Sequence, residues 1–463
     1  MPVDSILLLS ISIPLIGAIC ISRIDEREFT ANVKLASLWT TVFAFIISLM
    51  LFEASVERFS FLTFGPSFIS VRMIAMTTFL VLVAVMVSQD EINMELKKFH
   101  ILVLILEALL IAIFSTTDIL VFYVLLQLII LITFILLEIF GKDSICAVKF
   151  FIILSIGSLL LLLGVIFLVN LTEITDINVL SRYTFSPRQE SVIFWTFFLG
   201  FASITALFPL HIWLPDTGTE TPTALTILLL GIFLKIGTFG MQTILLPIAE
   251  NSCVHFRGYI LELATLTMGY ATLAARVQRD LKHIVSYISM GQMALITAGL
   301  FSGNVHGAAG ASFNTIMHSL GATALLMVIA IIENRVGNRN VDAGMIPLIP
   351  YFSPIATVAM LTFFSVPWAP SFLGNFLILS ACWNERFPII CLGIGFIIAC
   401  SISHGFKIHR QIFSGISRLK KMPMNRKELA GLIPLIMLIL AISVYPRVIL
   451  DCRGEQAKEK RRL

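Results

Sequence analysis

Pro209-Leu210-His211-Ile212-Trp213-Leu214-Pro215-Asp216, followed by Thr219-Glu220-Thr221-Pro222-Thr223, cuts a long apolar stretch of the chain in two. Proline removes a backbone donor and breaks the hydrogen-bond ladder of a helix. Inside a bilayer, the carbonyls freed in this way are tolerated only where protein or a water-filled cavity satisfies them. A second interruption comes later: Pro367 and Pro370 break another apolar run, which resumes as Ser371-Phe372-Leu373-Gly374-Asn375-Phe376. A matched pair of broken helices marks a repeat-built transporter whose pathway lies at the breaks. The alternative is a pair of simple proline kinks, and the two readings differ in whether helical geometry is lost around the prolines.

Working outward from these breaks, the bilayer reading rests on composition. Of 463 residues, 58% are hydrophobic and 13% are charged, against about 25% charged in soluble domains. Apolar runs of about 20 residues, each long enough to cross the hydrocarbon core, recur throughout. They predict an all-α, polytopic membrane protein with about 14 spans: 4–22, 34–53, 68–88, 98–115, 117–140, 148–170, 191–215, 222–247, 258–275, 281–301, 309–333, 345–383, 388–412 and 427–449. No polar stretch is long enough for a soluble domain. The run Ser5 to Cys20 has Asp4 before it, lacks a basic segment, and reads as a retained first helix. Loop Lys and Arg collect on one side, at Arg23, Lys97, Lys142, Arg279, Arg335 and the cluster Arg418, Lys420, Lys421 and Arg426. The positive-inside rule makes that side cytoplasmic; the basic tail Lys458 to Arg462 opposes this.

Several chemistries are disfavoured. The seven cysteines form no CxxC pair and argue against a metal or iron–sulfur site. No Ser/His/Asp set, phosphate loop or metal-ligand cluster is present. A net charge of +4, spread over loops, points away from nucleic acid. The sequence therefore predicts neither a metal nor a redox cofactor.

What remains are ionisable residues in apolar surroundings, each of which costs roughly 2.5–3.5 kcal/mol on insertion scales and needs a reason. Lys235 lies deep in Leu228 to Gly237, too far from either end to snorkel; it could pass a proton to a nearby carboxylate or water chain. Lys282, beside His283, opens the tenth span and is either a relay group or a loop anchor. His318, within the eleventh, is either a proton relay or a hydrogen-bonded helix contact. Glu107 and Glu262 are embedded in apolar runs, and each is either a group that carries chemistry or a carboxylate satisfied by a neighbouring helix. Asp216 and Glu220 stand at the first break, where carboxylates and freed backbone groups can gather water.

The quoted stretch from Pro209 to Thr223, together with Leu234-Lys235-Ile236-Gly237, resembles the antiporter-like subunits of respiratory complex I, the proton-pumping NADH:quinone oxidoreductases. The resemblance runs over about residues 98–451: Arg279-Asp280-Leu281-Lys282 before Ser286-Tyr287, His318, Pro370 to Phe376, and His409-Arg410. The closing stretch, Arg426-Lys427-Glu428 to Tyr445-Pro446 and Asp451, is similar to that of the M chain. The resemblance implies two inverted five-helix repeats, each with one broken helix. It divides the chain into N-terminal helices (1–97), a first repeat (98–247), a second repeat (248–412), and a loop, last span and basic tail (413–463). It also implies a multi-pass protein of a bacterial or mitochondrial inner membrane, partnered by lipid and other membrane-arm subunits, with Glu107, His211, Lys235, Lys282 and His318 as proton-path candidates. Mrp-type cation/proton antiporters share these motifs and form the alternative assembly, as does a non-pumping structural paralogue. Three positions depart from the family. Gln127 stands where a glutamate is expected, Ile204 where a lysine is, and Asn375 where the M chain has a glutamate. An amide keeps a carboxylate's approximate size but releases no proton, so the resemblance implies a relay with missing stations.

Overall fold

Helices fill the computed structural model, which describes residues 3–54, 68–92, 94–341, 352–384, 387–413 and 424–450. The first part of the chain forms α1 (Val3–Ser22), α2 (Glu26–Ala54), α3 (Phe68–Glu91), α4 (Leu96–Ser115), α5 (Ile119–Phe140), α6 (Ser144–Thr172), α7 (Pro187–Ile204) and α8 (Trp213–Glu220). Next comes α9 (Thr223–Ile248). The remainder forms α10 (Glu250–Val277), α11 (Leu281–Leu300), α12 (Val305–Val336), α13 (Phe352–Phe363), α14 (Pro370–Asn384), α15 (Pro388–Phe413) and α16 (Arg426–Val444). The chain divides into two units: Met1–Ile204 with Glu220–Ser252, and Thr205–Thr219 with Cys253–Leu463.

Among the described residues, 11 helices are long and apolar enough to cross a membrane. The other expected spans are the two broken ones, α7/α8 and α13/α14, and α10, whose sequence is more polar. The breaks are true interruptions and not kinks: helix stops at Ile204 and restarts at Trp213, then stops at Phe363 and restarts at Pro370. Non-glycine residues adopt left-handed backbone at both, Ala206 (φ 55°) at the first and Ser365 (φ 53°) and Trp368 (φ 81°) at the second. Such residues cost about 1–2 kcal/mol each, so the surrounding packing must hold them in place. The cluster Arg418, Lys420, Lys421 and the tail from Lys458 lie outside the described residues.

Local chemistry starts the helices where the sequence places small acids and amides. Asp118 accepts from the backbone N–H of Leu120 (2.8 Å) and Val121 (3.0 Å) at the start of α5. Asp280 does the same for Lys282 (2.8 Å) and His283 (3.3 Å) at α11. Asn304 caps α12 through His306. Each cap satisfies donors that a helix N-terminus leaves without intrahelical acceptors. In the second unit, the Arg335 guanidinium grips the Glu428 carboxylate through two bonds, 2.7 and 2.6 Å. This fork ties the end of α12 to the start of α16 and keeps the Arg335 and Arg426 ends on one side, as the charge pattern requires.

A long-range cap starts α9. Glu91, at the end of α3, accepts from Thr223 N–H (2.5 Å) and Ala224 N–H (3.0 Å) with its two oxygens. Pro222, just before, supplies no donor of its own. Glu91→Ala is expected to cost about 1–2 kcal/mol, seen as a lower unfolding temperature of the detergent-solubilised chain, whereas Glu91→Gln should keep part of the cap. An unchanged midpoint for Glu91→Ala would rule this cap out as a source of stability.

Packing separates a covered interior from a periphery that faces lipid or partners. The apolar window of α9 is wholly buried and that of α12 is 94% buried, whereas only 39% of the α6 window is covered. In the first unit, aromatic pairs wrap α9: Phe114–Phe239 from α4 (5.0 Å between ring centroids) and Phe150–Phe233 from α6 (5.4 Å). Gly240 lies against the Phe201 ring of α7, with no room for a side chain. Gly157 and Gly164 likewise let α6 approach α7 at Ser203 and Thr196, the small-residue packing that serves where lipid gives helices no hydrophobic drive to associate.

Candidate functional site

Lys235 lies on the helix most completely enclosed in the first unit and is 1% exposed. Its neighbourhood is not regular α-helix. Two π-helical turns, Leu229–Phe233 and Met241–Leu245, flank the segment that carries it. Each π turn inserts an extra residue and shifts the backbone pairing, a device frequent at functional sites. Lys235 Nζ donates to the Leu230 carbonyl in the first of these turns. The ammonium is therefore held inside the protein by backbone and has not snorkelled to a membrane face.

Glu107, on α4, is fully buried, and neither carboxylate oxygen has a hydrogen-bond partner among the described residues. Two turns earlier on the same face, His100 is equally buried, and neither ring nitrogen has a hydrogen-bond partner among the described residues. The sequence reading missed His100 because Lys97 and Lys98 made that turn look like a membrane edge. Gln127, on α5, is half-buried. Ile204, the last residue of α7, is 2% exposed, and the turn before it has already bonded its hydroxyl internally, Ser203 Oγ to the Gly200 carbonyl at 2.7 Å.

In the second unit the first break gathers a polar cluster. Phe208 N–H, freed by the break, donates to Thr267 Oγ1 (3.2 Å) on α10. His211 is buried, stacked on Phe208 (5.5 Å) and edge-on to Tyr270 (4.8 Å). Asp216 Oδ1 lies 3.8 Å from His283 Nε2, and this carboxylate–imidazole pair is partly open to solvent. His283 stacks on Tyr287 (5.9 Å), which in turn faces Tyr270 (6.4 Å). A chain of titratable and hydroxyl-bearing groups thus leads from an accessible carboxylate to buried His211. Sequence reasoning named Asp216, His211 and His283 but did not join them, and it did not single out Tyr270. Lys282, beside His283 in the first turn of α11, is buried to 2% exposure.

The second break holds a different set. The side-chain amides of Asn375 on α14 and Asn314 on α12 meet at 2.7 Å. With its amide turned to satisfy both ends, Asn314 donates to the Ser371 carbonyl (3.0 Å) and accepts from Asn375 N–H (3.2 Å). Gly374 lies directly against the Asn314 amide, where no side chain would fit. One turn beyond Asn314, buried His318 meets the Phe363 ring at 5.8 Å, where α13 ends. Ser371 Oγ donates to the Thr362 carbonyl (2.5 Å) and so satisfies one group freed by the interruption. Asn314 escaped the sequence reading because it is a neutral residue inside an apolar helix.

Glu262, which the sequence places in an apolar run like Glu107, is exposed on the outer face of α10, with no neighbouring helix among the described residues covering it. Lipid-facing and protein-facing runs are equally apolar, and hydropathy does not separate them. Among the described residues, no group of three or more His, Cys, Asp or Glu side chains could hold a metal ion.

Comparison with known proteins gives this arrangement its family. The model of the NADH:quinone oxidoreductase/Mrp antiporter transmembrane family matches residues 116–401. The NADH-ubiquinone oxidoreductase chain 4 of Marchantia polymorpha is 30% identical, covering 96% of this chain and 94% of its own length. The NADH-quinone oxidoreductase subunit M of Rickettsia bellii is 27% identical, covering 96% of both. The fold is shared with a chain of respiratory complex I from Thermus thermophilus (TM-score 0.87, 21% identity, 97% of both chains). It is also shared with a chain of an archaeal membrane-bound sulfane sulfur reductase (TM-score 0.88, 21% identity, 96% and 95%). The matched segment takes in both broken helices, Lys235, Lys282 and His318; the chain belongs to the NADH:quinone oxidoreductase/Mrp antiporter transmembrane family.

Proposed function

We propose that this chain is an M-type membrane-arm subunit of an NADH:quinone oxidoreductase in a bacterial or mitochondrial inner membrane, and that its own proton relay is interrupted. The observation that carries the second half is the state of three positions. Ile204 presents only hydrocarbon at the end of α7, Gln127 presents an amide, and Asn375 is locked in an amide pair with Asn314. Around them the scaffold of a relay persists: Lys235 in its π-flanked helix, Lys282, His211, His318 and Glu107. A relay needs groups that gain and lose protons at successive stations, and neither amide nor isoleucine does so.

We also propose that residues 98–247 and 248–412 form two repeats. A shared local device supports this. Asp118 caps α5 while Ile119 N–H and the Thr117 carbonyl pair with Thr175 and Ile177 beyond α6. Asp280 caps α11 while Leu281 N–H and the Arg279 carbonyl pair with Arg339 and Val341 beyond α12.

The assembly is tested by tagging the chain and purifying it from native membranes. Other membrane-arm subunits and NADH dehydrogenase activity should come down with it. Recovery of small cation/proton antiporter subunits in their place would move the chain to the Mrp-type assembly.

A further inference from the structure

Glu262 is the thirteenth residue of the 28-residue helix α10, which places its carboxylate roughly 18 Å along the axis from the first turn. The apolar part of the helix begins near 258, after His255 and Arg257, so Glu262 lies about one turn inside the span. It is exposed, and it shares a face with Tyr259 (65% exposed), Leu266 and Leu273 (67%), at successive spacings of three, four and seven residues. Positions at these spacings fall on one side of a helix. Another outward face, that of α6, exposes Val148, Phe151, Ile152, Ile156, Leu159 and Leu163, with no carboxylate among them. The α10 face differs by carrying a carboxylate between a tyrosine and leucines. It makes no hydrogen bond or ion pair with another described residue. A carboxylate facing hydrocarbon within a span is costly, and acids within membrane spans face protein, water or a partner charge.

We infer that the Tyr259–Glu262–Leu266 face of α10 is a subunit contact, covered in the assembly by a transmembrane helix that presents a basic side chain to Glu262. The choice of partner follows from charge: a lysine, arginine or histidine both neutralises the acid and supplies its hydrogen bonds, while the flanking leucines and Tyr259 pack against the partner's apolar surface. Small or polar residues act as the glue between membrane helices because lipid offers no hydrophobic drive for their association. The inference rests on the proposed place of the chain in a multi-subunit membrane complex and adds the surface and chemistry of one contact.

The test uses the hydrophobic reagent dicyclohexylcarbodiimide, which modifies protonated carboxyl groups reached from lipid, with Glu262 read by peptide mass spectrometry. The chain expressed without partner subunits should be labelled at Glu262, and the purified assembly should show at least a tenfold lower yield there. Equal labelling in both, with the other subunits present, overturns this inference and leaves the proposed function standing. If no other subunit accompanies the chain, the proposed function fails and this contact fails with it. Glu262→Gln provides an independent arm: it removes the charge with little change in shape and should lower recovery of partner subunits several-fold. Undiminished recovery would contradict a basic partner.

Discussion

Lys235→Met should make the isolated chain more stable, by about 1–3 kcal/mol. The lysine is 1% exposed within a helix whose apolar window is entirely covered. An ammonium there has given up its hydration, and Leu230's carbonyl compensates through a hydrogen bond. Replacing a buried charge by an apolar side chain of similar volume is often neutral or stabilising, because the desolvation penalty disappears with the charge. Methionine is unbranched and adapts to the space the lysine stem occupies. A stability gain, measured as a raised thermal midpoint in detergent, would show that Lys235 is kept for a reason other than folding. A fall in stability would show that contacts to the ammonium outweigh its desolvation, and the residue would then be structural.

Ile204→Lys should go the other way, with a loss of roughly 2.5–3.5 kcal/mol. Ile204 is buried at the end of α7 next to a tight α6–α7 contact in which Gly157 faces Ser203. A lysine introduced alone would carry a charge into this buried, closely packed site. Asn375→Glu should be milder, because position 375 already holds a polar side chain against the Asn314 amide. That amide can present its N–H to a carboxylate by turning over, giving up its bonds to the Ser371 carbonyl and Asn375 N–H. The two sites have thus diverged to different degrees, one still shaped for a polar group and the other converted to packing. Thermal midpoints of the two single variants check this: similar losses for both would contradict it.

How much of this was legible beforehand depended on the type of signal. The broken helices were plain, because proline states its effect on backbone donors in the sequence itself. Lys235 was plain because a charge deep in an apolar run has few bland explanations. The span count was also readable, although α10 is too polar to score as a span by hydropathy. Direction was not readable. Glu262 and Glu107 stand in equally apolar runs, yet one faces outward from α10 and the other is sealed beneath α4. Spatial grouping was equally hidden: Asp216, His283, Tyr287, Tyr270 and His211 lie far apart in sequence and meet only because the first break turns the chain beside α10 and α11. Asn314 carries no charge and gives no warning, yet it decides what position 375 can do.

The central claim, that the chain occupies a pump's scaffold without completing its proton path, is tested most directly by the protons moved per NADH oxidised. The measurement is made on a complex I that lacks its own M chain and carries this one, in sealed vesicles, with electron transfer from NADH to quinone confirmed separately. A ratio below that of the native complex is expected, returning toward the native value when Gln127→Glu, Ile204→Lys and Asn375→Glu are introduced together. A full native ratio from the unmodified chain would contradict the account.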